Sequence, residues 1–176
     1  MKLKYLVLMI LILVVSTLDC KNSKDDNQKV ITKTESKESN LNTNKSNLAA
    51  LGQKYFDLWV LTQEPIATKE NINSYLDLLI EDIGHQHLPY DTDDSREPDG
   101  KENMRKGMLF YLGGHTEYSA SLNSISTGYN VIVIKYKTIS KGVHPQTKKE
   151  VISSFETIEV LEIEDEKISM IRKYSE

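Results

Sequence analysis

Apolar residues recur with two different periods along this chain. Leu48, Leu51, Tyr55, Leu58 and Trp59 share one helical face, with Ser46 or Asn47 as the cap and Pro65 as the stop. A second helical face, Ile72, Tyr75, Leu76 and Leu79, follows Thr68. A third helix is predicted from about Gly100 through "KENMRKGMLFYL" to Gly113 and Gly114. From His115 the character changes to β-branched or alternating runs. "HTEYSASLNSIS", "YNVIVIKYKTI", "EVISSFETIEVLEI" and "KISMIRKY" read as four strands separated by turn-like segments. Helices followed by a strand meander predict an α+β domain over 47–176, its helices packed on one face of an antiparallel sheet.

The N-terminal pattern is different. Lys2 and Lys4 precede an apolar run, Tyr5 to Val15, that is too short for a membrane-spanning helix. A basic start and a short apolar stretch have the form of an export signal, predicted over 1–19. Cys20, the only cysteine, follows directly and has no partner for an internal disulfide. Its position resembles the lipobox of bacterial lipoproteins, which implies lipidation of Cys20 and a cell-envelope location. Asp19 departs from the small residue that pattern prefers, so a secreted or periplasmic protein stays open. Residues 20–46 are polar and nearly free of aliphatics, and are expected to form a disordered tether.

The net charge of −4 and the absence of a basic cluster argue against a nucleic-acid partner. There is no glycine-rich phosphate loop, no Ser-His-acid arrangement can be placed, and no cofactor is expected.

"YFDLW", "YLDLLIEDIGHQH", "DGKENMRKGM" and "FETIEVLEIEDEKISMIRKY" occur in the order found in the nuclear transport factor 2-like superfamily. The chain from about 47 to 175 resembles that superfamily, which includes SnoaL-like polyketide cyclases and ketosteroid isomerases. The resemblance implies a curved sheet wrapped around helices into a cone with one apolar pocket. Known roles of that pocket range from isomerisation, dehydration and cyclisation to ligand binding, so fold alone does not choose among them.

Within the resemblance, His87 falls where ketosteroid isomerases place a catalytic aspartate, and Tyr55 where they place the oxyanion-hole tyrosine. Glu159 falls near a third position, a protonated aspartate, with Thr157 the alternative lining residue. His85 and His87 are two apart on the first strand and so share a face. Together with Tyr55, Trp59 and Thr157 they form the expected pocket lining. A histidine can exchange protons near neutrality, and a tyrosine hydroxyl can stabilise a developing enolate. The alternatives are a core Tyr55 with its hydroxyl satisfied and a His87 that only lines a binding site. The His-x-His pair matches no closed zinc signature, and no metal is expected.

The preferred expectation is therefore binding of a small apolar molecule or a protein partner. The second is acid/base chemistry on a carbonyl compound by a SnoaL-like enzyme. The third is an interaction module, because "YNVIVIKYK" offers apolar side chains on both faces for a homodimer or partner contact.

Overall fold

The computed structural model describes the backbone from Asp26 to Glu176 and side chains from Asn44 onward. The predicted export signal and Cys20 lie outside the described residues. Helix α1 runs Asp26–Gln63, α2 Lys69–Leu76 and α3 Gly100–Tyr111. The strands are β1 Leu79–Leu88, β2 His115–Gly128, β3 Val131–Val143, β4 Glu150–Glu164 and β5 Lys167–Ser175. The chain divides into two units between Glu38 and Ser39, and the second carries all the strands.

Two boundaries differ from expectation. The backbone is helical back to Asp26, so the expected domain start near Asn47 falls inside α1. No glycine or proline lies between residues 21 and 51 to interrupt it. Leu48 is nevertheless the first buried side chain among those described. Leu79, expected on the α2 face, instead opens β1, because α2 ends at Leu76 with Asp77 as its C-cap. At the other end of α2, Thr68 accepts from the Asn71 backbone while the Asn71 side chain accepts from the Thr68 N–H, a reciprocal cap.

The five strands form one curved, unclosed sheet in the order β1-β5-β4-β3-β2. β2 to β5 are antiparallel neighbours as expected, but β1 joins β5 in parallel, so the sheet is mixed. That follows from the route of the chain: α3 and three strands intervene before β5 lies down beside β1.

The core joins Tyr55 and Phe56 of α1 and Ile72, Tyr75 and Leu76 of α2 to Ile132, Ile134, Leu161, Ile168 and Ile171 of the sheet. Several of these are completely shielded from solvent, and each fully buried aliphatic contributes about 1.5–3 kcal/mol relative to exposure. Gly100 fixes the entry of α3, since a Cβ there would stand 2.3 Å from the Ile83 carbonyl oxygen. Next to it, Lys101 is buried and donates to Glu81 at 2.7 Å, tying α3 to β1. No helix among the described residues is long and apolar enough to cross a membrane.

Candidate functional site

Pairing across the sheet lines up residues that share a face, and the rows change character along the strands. His85, Ile171, Leu161 and Ile132 form one row. Two residues along lies His87, Lys173, Glu159 and Ile134. Beyond it come Ser175, Thr157 and Tyr136, then Phe155 and Thr138, then Ser153 and Ser140. Side chains from the later rows face a cavity of about 480 Å³. The sheet supplies His85, His87, His115, Ser140, Ser153 and Lys173, while α1 and α3 supply Trp59, Thr62, Met108 and Tyr111. A smaller cavity of about 170 Å³ shares Trp59, His87 and Lys173 and adds Tyr118, Phe155 and Thr157. The larger volume falls in the range that holds small molecules.

Of the expected site residues, Trp59, His85, His87 and Thr157 line these cavities. Tyr55 does not. It is 2 % exposed, packs its ring on Tyr75 at 5.3 Å between centroids and accepts from the Tyr75 hydroxyl at 3.2 Å. Burial, reinforced by Glu159, pushes its hydroxyl well above the ordinary tyrosine range. The expected pairing of His87 with Tyr55 across an open pocket is corrected accordingly, since α1 turns Tyr55 into the core. Glu159 is likewise buried and lines neither cavity; one carboxylate oxygen accepts from Tyr136 at 2.8 Å, and the other has no hydrogen-bond partner among the described residues.

Lys173, missed in the sequence, lines both cavities. Its ammonium stands 5.0 Å above the Trp59 ring, a cation-π distance, and 3.8 Å from Glu159 Oε1. Strand alternation could have found it, because Lys173 is two residues past the buried Ile171.

His115 and His144 were also missed as cavity residues, although with His85 and His87 all four histidines of the chain line the one cavity. The His115 Nδ1–H donates to the Gln63 carbonyl at 2.7 Å, which leaves Nε2 as an acceptor in the neutral ring. His144 shows the reverse pattern: Nδ1 accepts from the Gln146 and Thr147 backbone N–H groups, leaving Nε2–H as a donor.

His87 stacks edge-on against Tyr90 and lies 3.4 Å from the Ser175 hydroxyl. Burial, with Lys173 and His85 adding to it and Asp91 opposing, lowers its pKa to about 4. His85 is open to solvent through the cavity but walled by protein, and burial likewise lowers its pKa. Both rings are neutral at pH 7.

The acidic loop after β1 does not simply project into solvent. Asp91 exchanges two backbone hydrogen bonds with His87, Asp94 pairs with Arg172, and Arg96 bridges Asp82 and Glu164. Among the described residues no three His, Cys, Asp or Glu side chains gather closely enough to hold a metal ion.

No protein-family profile and no curated protein matches the chain. Solved structures do. A protein described as a SnoaL-like polyketide cyclase from Shewanella putrefaciens CN-32 superposes with a TM-score of 0.56 at 12% identity, over 73% of this chain and 88% of that one. An M. tuberculosis LEH-like epoxide hydrolase gives 0.52 at 13% identity, over 76% and 85%. An NTF2-like protein from Anabaena variabilis ATCC 29413 gives 0.52 at 17% identity, over 74% and 90%. At these identities the likeness shows the fold alone: an α+β domain with a curved, unclosed sheet and N-terminal helices, as in NTF2-like proteins.

Proposed function

We propose that the domain binds a small molecule in the cavity beside Trp59, and that an exported, lipid-anchored chain carries it at the cell envelope. The observation behind binding is the cavity itself: about 480 Å³, with Trp59, Met108 and Tyr111 as apolar surface and the neutral His85 and His87 as hydrogen-bonding groups. Trp59 is the only tryptophan of the chain, so its fluorescence reports occupancy. Screening small molecules by native mass spectrometry and Trp59 fluorescence should yield a ligand that changes both. A screen in which nothing binds, with the protein shown to be folded, would sink this reading.

Acid/base catalysis has less support. Tyr55 lines neither cavity, and a histidine with a pKa of about 4 is a weak general base at neutral pH. The envelope location rests on Lys2, Lys4, the apolar run Tyr5 to Val15 and Cys20. Cys20→Ser should move the protein from the membrane to the soluble fraction; an unchanged distribution would remove the anchor.

A further inference from the structure

The cavity is polar within and apolar at its edge. Lys173, with its side chain 18% exposed, and the buried Thr62 lie inside, together with His87. Tyr111, Val143 and Val151 line the outer part at 56%, 43% and 47% exposure. Phe110, half exposed, extends that apolar edge with its ring 5.0 Å from Tyr111. A ligand polar at one end and apolar at the other fits this gradient when its polar end enters first.

Charge narrows the head group. Among the described residues Lys173 is the only lysine or arginine lining the cavity, and the only acid there, Glu64, is half-buried. Among the described residues the Lys173 ammonium makes no hydrogen bond, and Glu159 behind it, at 3.8 Å, is an ion partner outside hydrogen-bonding distance. The ammonium therefore has free donors for an acceptor arriving from the cavity. A single lysine already facing one carboxylate suits a monoanion better than a dianionic phosphate, which calls for several donors or an arginine fork. The neutral His87 can add a hydrogen bond without adding charge.

We propose that the cavity takes an amphipathic monocarboxylic acid head first, its carboxylate on Lys173 Nζ and its alkyl chain leaving across Tyr111, Val143 and Val151. This rests on the small-molecule reading above and gives that ligand a class. Covering the apolar edge would add about 25 cal/mol per Å² of surface removed from water.

The test titrates the full chain with decanoic acid, methyl decanoate and decanol, following Trp59 fluorescence below the concentration at which the amphiphiles aggregate. The acid should bind at least ten-fold more tightly than the ester or the alcohol, as expected for one charge-assisted hydrogen bond. Lys173→Met should abolish that preference and Lys173→Arg should keep most of it. Should Lys173→Met fail to fold, the comparison of acid with ester on the unaltered chain still decides. Equal binding of all three compounds would overturn the carboxylate assignment while leaving a binding cavity. No binding of any of them would overturn the assignment too, and the broader screen would then show separately whether the cavity binds anything.

Discussion

Two neighbouring rows of the same sheet face do different work. His85, Ile171, Leu161 and Ile132 make a row that, apart from its edge histidine, is buried hydrocarbon. One step of two residues away, His87, Lys173 and Glu159 put an imidazole, an ammonium and a carboxylate on the same three strands. The backbone conformation and the side-chain period are shared, so the difference lies wholly in side-chain chemistry. Stability should therefore concentrate in the first row and recognition in the second. Leu161→Ala tests the first half most severely. It leaves a void in a closed part of the core and should cost about 2–5 kcal/mol in urea unfolding. His87→Gln, in the other row, should cost less. Equal losses would erase the distinction.

The boundary between the rows is sharpened by the tyrosines. Tyr136→Phe removes the one hydroxyl that donates to the buried Glu159, and should cost about 1–3 kcal/mol because the carboxyl group loses its donor without gaining water. Tyr55→Phe should cost a similar or smaller amount, through the lost contact with the Tyr75 hydroxyl. It should leave ligand binding unchanged, since Tyr55 lines neither cavity. A binding defect in Tyr55→Phe, measured by Trp59 fluorescence with the fold intact, would return Tyr55 to the site.

Acid should act on the histidine edge of the sheet, and His87 in the second row is its sharpest test. His87 has an unperturbed pKa near 6.5 and a folded value lowered to about 4 by burial and by Lys173 and His85. The unfolded chain thus binds the proton more readily than the folded one. The stabilisation tied to a neutral His87 is complete above about pH 6.5 and is lost as the pH falls through the folded value near 4. With partial solvent access discounted, the loss is on the order of 1–2 kcal/mol. Urea unfolding at pH 7 and pH 4.5 should show a smaller difference for His87→Gln than for the unaltered chain. His87 ring resonances that titrate near 6.5 in the folded protein would contradict the assignment.

Much of this architecture was legible because helices and strands impose different periods on the apolar residues. All four later strands, the start of α2 and both ends of α3 follow that pattern closely. Leu79 misled because an apolar residue at a boundary fits both periods. The parallel pairing of β1 with β5 left no local mark, since alternation fixes which face a side chain takes and not which strand lies beside it. His85, His87 and Thr157 line the cavities on the sheet face that alternation gives them. His115 and His144, separated in sequence, meet there because the turn after Gly128 sets His115 opposite Gly142. Tyr55 went the other way: a tyrosine on an apolar helical face fits either core or pocket, and only packing against Tyr75 decides.

The smallest expected change is a gain. Gly107 lies in the interior of α3, lines the cavity, and has nothing within 4 Å of an added Cβ. Alanine there removes backbone freedom from the unfolded chain and meets no neighbour. Gly107→Ala should therefore stabilise the domain by up to about 1 kcal/mol in urea unfolding. Leucine at the same position enters the cavity, where it should weaken ligand binding while retaining much of the helix gain. The pair separates the two functions that the rows of the sheet divide between them: one substitution changes stability alone, and the other changes access to Lys173 and Trp59. A destabilised Gly107→Ala would mean that α3 packs more tightly over the cavity than the open space around Gly107 allows.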